Sequence, residues 1–139
     1  MTLNRRDALW VCLGGIAFAA MPGRSQATTL EEVTAAFTGG ATPAPDGITL
    51  TAPEIAENGN TVPVTVEAPG AVAIMLLAAG NPEPAVCTFN FGPAAGSQMA
   101  ATRIRLAKTQ DVIALARMAD GSIRQAQATV KVTIGGCGG

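Results

Sequence analysis

From residue 48 onward, hydrophobic and polar positions alternate with period two, the spacing of half-buried strands. Val62, Val64 and Val66 point one way, with Pro63, Thr65 and Glu67 on the other face. Pro63 lacks a backbone N–H, so this strand is expected at a sheet edge or opening on that residue. Residues 71–78 are apolar without a break, the pattern of a strand covered on both faces. Cys87, Phe89 and Phe91 alternate with Val86, Thr88 and Asn90, and Thr102, Ile104 and Leu106 with Arg103 and Arg105. Residues 112–118 lead into Asp120-Gly121, a signal for a two-residue hairpin turn. Beyond it Ala126, Ala128, Val130, Val132 and Ile134 share one face, opposite Gln125, Gln127, Thr129, Lys131 and Thr133. With a short segment at 48–50, about seven strands lie within about 90 residues, which predicts a mostly β chain built as an immunoglobulin-like antiparallel β-sandwich. A small barrel is the structural alternative.

The helical period surfaces once. Leu30, Val33 and Phe37 fall on one helical face, and Thr29 with Glu32 three residues later forms a capping-box pattern. Gly39-Gly40 is the expected stop. Residues 41–47 read as a Pro-rich linker and 92–96 as a loop, while 54–60 reads as a turn feeding a strand, with Asn58-Gly59 suited to positive φ.

The N-terminal 27 residues carry a different pattern. Arg5-Arg6 stands just ahead of an uncharged stretch, Ala8 to Met21, of 14 residues. That fits the apolar region of an export signal and is too short to cross a bilayer as a helix. Ser25-Gln26-Ala27 supplies a small-x-small cleavage pattern, which places the mature start at Thr28. The arginine pair resembles a twin-arginine signal, although Asn4 and Ala8 replace the usual Ser/Thr and Phe. An ordinary secretory signal is the alternative. A lipid-attachment reading of Cys12 fails because bulky Val11 precedes it. The expected organisation is an export signal at 1–27, a β domain at 28–134 and a C-terminal segment at 135–139, in a protein exported to the periplasm without stable membrane association.

Charge and composition narrow the chemistry. The 139 residues include nine basic and ten acidic side chains, and removal of the signal leaves a net charge of −3, so no basic surplus favours nucleic acid. Histidine is absent, which removes Ser-His-Asp catalysis and His-ligated metal sites. No cofactor is expected, and no catalytic or metal-ligating set emerges from the remaining residues.

Two cysteines survive signal removal, in an oxidising compartment. Cys87 shares a strand face with Phe89 and Phe91 and reads as a small core hydrophobe. Cys137 sits in Gly135-Gly136-Cys137-Gly138-Gly139, immediately after Ile134. The glycines cannot pack and leave the backbone free, so the segment reads as a tether of roughly 16 Å at full extension, at about 3.3 Å per residue. A frayed terminus, a disulfide to Cys87 and an intermolecular disulfide are the competing readings. Nothing beside Cys137 lowers its pKa from the ordinary value of about 8.5, and neither a base nor an oxyanion stabiliser accompanies it. The pattern is that of a thiol carried to other proteins, not of an enzyme.

The glycine-flanked cysteine, the paired arginines and the run Pro53-Glu54-Ile55-Ala56-Glu57-Asn58-Gly59-Asn60-Thr61-Val62-Pro63-Val64 together resemble the SoxY family of sulfur carriers. Asn81-Pro82, Phe89, Thr102-Arg103-Ile104-Arg105-Leu106-Ala107 and Asp120-Gly121 also resemble that family's core. The likeness spans essentially the whole mature chain. It implies an immunoglobulin-like fold, a SoxZ subunit as heterodimer partner and covalent attachment of thiosulfate-derived sulfur at Cys137. It further implies transient partners: a c-type cytochrome enzyme that couples thiosulfate to the thiol, a manganese-dependent sulfone hydrolase and a sulfur dehydrogenase. Residues 71–79 are more apolar than a half-exposed strand requires and are expected to contribute to the SoxZ face. Two other functions compete. A ubiquitin-like carrier would load sulfur on Gly139 in the cytoplasm, against the export signal. A secreted structural or adhesion module would use Cys137 only for disulfide dimerisation.

Overall fold

A computed structural model of the chain describes residues 27–134. The helix forms as its ends dictate. Thr29 is extended, its Oγ1 accepts the Glu32 N–H at 3.2 Å, and Glu32 Oε2 accepts the Thr29 N–H at 2.8 Å, so two otherwise orphaned donors are satisfied. Helix α1 runs Leu30–Thr38 and stops at Gly39, whose left-handed φ of 63° lets its N–H return to the Ala35 carbonyl at 2.9 Å.

Eight strands follow among the described residues: β1 (Thr49–Thr51), β2 (Ile55–Ala56), β3 (Val62–Glu67), β4 (Ala71–Ala78), β5 (Ala85–Asn90), β6 (Met99–Ile104), β7 (Gln110–Met118) and β8 (Ile123–Val132). They form two sheets, ordered β1-β3-β6 and β2-β8-β7-β4-β5, so the sandwich expectation holds and no barrel closes. Each pairing is antiparallel except β2 with β8, which is parallel. Strand β2 is the element that period-two reading overlooks, because two residues carry no period.

The core lies between the sheets and joins Val62, Val64 and Val66 of β3 to Ile74 and Leu76 of β4, Val112 of β7 and Val130 of β8. A second cluster forms on the outer face of the larger sheet, where Phe37 of α1 covers Ala73, Leu77, Leu115 and Ile123. Successive residues of β4 therefore serve alternate clusters, which explains its unbroken apolar run. The same burial corrects the expectation that this strand faces a partner. Ile74, Leu76 and Leu77 have no accessible surface, and of residues 71–78 only Val72, beside a bulge, is exposed.

Three local expectations are refined. Pro63 lies in the middle strand of its sheet, but β1 pairs only with Thr65–Glu67, so at Pro63 the strand has β6 on one side alone. The β7–β8 connection has four residues, Ala119-Asp120-Gly121-Ser122, with the Met118 N–H donating to the Ser122 carbonyl at 2.8 Å. A two-residue type I′ turn would need positive φ at both centres, and here only Gly121 adopts it, at 86°. Asp120 instead accepts from the Ser122 N–H and hydroxyl at 2.8 and 2.6 Å. The 41–47 linker is also tied down: Ala44 bridges to β8, with its carbonyl accepting the Gln125 N–H at 2.8 Å.

Candidate functional site

Residues Arg5 and Arg6 and the segment Gly135, Gly136, Cys137, Gly138 and Gly139 lie outside the described residues. Ala27 is exposed, just ahead of α1. The last described residue before Cys137 is Ile134, exposed at 66% and three residues before the thiol in sequence.

Residues 54–59 run alongside the end of β8 and hold it by backbone hydrogen bonds. The Lys131 N–H donates to the Glu54 carbonyl at 2.9 Å, the Thr133 N–H to the Ala56 carbonyl at 3.1 Å, and the Gly59 N–H to the Ile134 carbonyl at 2.8 Å. The Thr133 hydroxyl adds a bond to the Glu57 carbonyl at 3.0 Å. From the other side, Thr109 Oγ1 accepts the Val132 N–H at 2.9 Å. The run of residues that resembles the family's motif is thus the rail along which β8 ends.

Gly59 does not take the positive φ that Asn58-Gly59 suggests. Asn58 Oδ1 accepts the Asn60 N–H at 2.9 Å, which forms the turn through the side chain. Buried Gly59 then uses both its backbone groups: its N–H holds Ile134, and its carbonyl accepts the Leu106 N–H at 2.8 Å. It joins the chain beyond β6 to the chain beyond β8 and so closes this end of the sandwich.

Behind Leu106 stands a side-chain network. Asn81 bridges the residues on either side of it, donating from Nδ2 to the Arg105 carbonyl at 2.8 Å and accepting the Ala107 N–H on Oδ1 at 2.9 Å. Gln110 Nε2 donates to the same Oδ1 at 2.8 Å and to the Lys108 carbonyl at 3.1 Å, while its Oε1 accepts the Gly80 N–H at 2.8 Å. Gln110 is the buried polar side chain among the described residues, and each of its amide atoms has a partner. Its signal in the sequence is a polar residue opening the apolar run of β7. Sequence reading passes it over, as it does Thr109.

Cys87 sits on β5, partly buried, with Phe89 and Phe91 against the inter-sheet core. Desolvation raises its thiol pKa, which suits the expected role as an inert hydrophobe. Among the described residues no group of three His, Cys, Asp or Glu is placed to hold a metal. No helix among them is long and apolar enough to cross a membrane.

Residues 34–137 match the family model described as sulfur oxidation protein SoxY. Among solved structures, the sulfur carrier protein SoxY from Chlorobium limicola f thiosulfatophilum superposes with a TM-score of 0.64 at 37% identity, covering 78% of this chain and 99% of that one. A superoxide reductase (neelaredoxin) from Ignicoccus hospitalis has a TM-score of 0.55 at 18% identity, over 75% of this chain and 93% of the other, a likeness of fold alone. No curated protein matches the chain. The family match extends through the β-sandwich and its Gly59–Ile134 closure to Cys137 itself, and the chain belongs to the SoxY family of sulfur oxidation proteins.

Proposed function

We propose that this protein is a non-catalytic carrier that holds thiosulfate-derived sulfur on Cys137 and presents it to other enzymes of sulfur oxidation. The carrying observation is the family match, which reaches Cys137. Coupling joins the Cys137 sulfur to the sulfane sulfur of thiosulfate. The thiol proton is released and an electron pair passes to a c-type cytochrome enzyme. Water then cleaves the outer sulfur–sulfur bond, releasing sulfate and leaving a persulfide on Cys137. The manganese-dependent hydrolase does this, and a sulfur dehydrogenase oxidises the remaining sulfur. This chain contributes a nucleophile and a means of delivery. The glycines around Cys137 present no side chain to obstruct entry into a narrow channel.

Under this reading residues 1–27 direct export through the Arg5-Arg6 signal, with cleavage after Ala27, and the carrier works in the periplasm beside a SoxZ subunit. The test is a Cys137→Ser variant in a reconstituted thiosulfate-oxidising system. Thiosulfate-dependent electron release is expected to stop, and intact mass spectrometry is expected to find a reductant-labile adduct on the C-terminal peptide of the unaltered protein only. Full activity in the variant would overturn the proposal in favour of a secreted structural module.

A further inference from the structure

An open sheet ends in edge strands, each with a row of unpaired backbone donors and acceptors that folds ordinarily cover or interrupt. The larger sheet does both. Ala44 covers β8 at Arg124, β2 covers it at Lys131 and Val132, and the β4–β5 ladder breaks at a bulge between Leu76 and Leu77. In the smaller sheet β1 is only three residues long. Strand β6 differs from all of these. Its six residues pair with β3 in unbroken register, and no strand lies on its other side.

The direction of its free groups follows from one bond. The Ala68 N–H donates to the Gln98 carbonyl at 3.0 Å, in the register that sets Val66 opposite Ala100. Antiparallel ladders alternate, so Ala100, Thr102 and Ile104 direct their backbone groups to β3, while those of Met99, Ala101 and Arg103 point away from it. Pro63, opposite Arg103, fits this alternation, because the β6 ladder makes no use of the N–H it lacks. The side chains of Met99, Ala101 and Arg103 are exposed, Met99 at 51%.

Charge decides what such an edge accepts. Between Glu83 and Asp111 the sequence has no acidic residue, and its charged side chains there are Arg103, Arg105 and Lys108. Every acidic residue of the described chain, from Glu31 to Asp120, lies outside that interval, alongside just three basic ones, Arg117, Arg124 and Lys131. The β6 side is thus the positive side of an otherwise acidic domain. We infer that the free edge of β6 is a strand-addition site for an acidic extended segment of another protein. Arg103 meets a carboxylate of that segment, Ala101 a β-branched side chain and Met99 an apolar one. Main-chain bonds to these three residues supply the affinity, and the alternate side chains supply the selectivity. A second copy of this chain is a poor occupant, because two β6 edges bring two basic stretches together.

The experiment uses the full mature chain and two synthetic probes. In the first peptide, glutamate, valine and leucine alternate with threonine in that order, which suits antiparallel addition from Arg103 to Met99. In the second, lysine replaces the glutamate. Titration followed by amide NMR is expected to show saturable binding of the acidic probe that weakens as salt rises, with new exchange protection at Met99, Ala101 and Arg103. The lysine probe is expected to bind about threefold to tenfold more weakly, the range that reversing one facing charge produces. Ala101→Pro removes an outward N–H and leaves the β3 ladder intact, so it is expected to abolish binding while the thermal melt stays in place. Arg103→Glu tests the charge without a proline and is expected to invert the preference between the two probes. No binding of the acidic probe at about millimolar concentration overturns the inference. So does equal binding of the two probes, or protection confined to other amides. Self-association of the unaltered chain that Ala101→Pro abolishes also overturns it, since the occupant is then a second copy.

Discussion

The Gly59 N–H donates to the Ile134 carbonyl at 2.8 Å, across a sequence gap that spans every strand from β3 to β8. This one bond ties the turn before the central strand of the smaller sheet to the residues that follow β8 of the larger one. Gly59 is buried and Ile134 is exposed, so the bond joins the packed interior to the surface at the last described residue before Cys137.

Leu106 stands behind that bond, fully buried, with its N–H on the Gly59 carbonyl. Truncation to Ala leaves a cavity next to the closure and is expected to destabilise the domain by about 2–5 kcal/mol, measured by denaturant unfolding. The slope of the transition should stay unchanged, since native compactness is retained.

Gly80 has no left-handed strain to excuse it, yet an added Cβ would lie 3.0 Å from Gln110 Cβ and 3.0 Å from Lys108 Cε. Lysine's far end moves readily, whereas the Gln110 Cβ is fixed to its strand. Gly80→Ala is therefore expected to cost about 1–3 kcal/mol. Adding Lys108→Ala should recover little of it in a thermal melt, because the tighter constraint remains.

Helix α1 is held by Phe37 in two ways. Its ring fills the outer cluster and receives the Arg117 guanidinium 4.6 Å from its centroid, while its carbonyl accepts from Arg117 Nη2. Phe37→Ala is expected to lose about 3–5 kcal/mol. Arg117→Met, which keeps the apolar stem, is expected to lose about 1 kcal/mol. Near-equal losses in chemical denaturation would contradict this division.

Asp120 is exposed, and its carboxyl sits below the ordinary carboxylate range, chiefly because it accepts the Ser122 hydroxyl and backbone N–H. A depressed pKa means the ionised form is favoured by the folded hairpin. Its contribution is thus present above the ordinary value of about 3.9 and is lost as pH falls through the depressed one. Side-chain NMR titration is expected to find the Asp120 midpoint under the ordinary value. Ser122→Ala should move it back up, and a midpoint unmoved by that change would show the hydrogen bonds to be unimportant.

Much of this protein was settled by short-range pattern. The period-two valines of β3, the unbroken run of β4 and the Thr29–Glu32 cap predict their own burial and ends, because each depends on side chains within a few residues of one another. What only the tertiary structure decided is how the end of β8, the last described stretch before Cys137, is held. The two-residue β2 pairs in parallel with β8, Asn81 reaches Arg105 and Ala107 across 24 and 26 residues, and Gly59 acts entirely through its backbone. A backbone N–H or carbonyl looks the same at every position of a sequence, so which of them meet is determined by how the two sheets close, not by the residues that carry them.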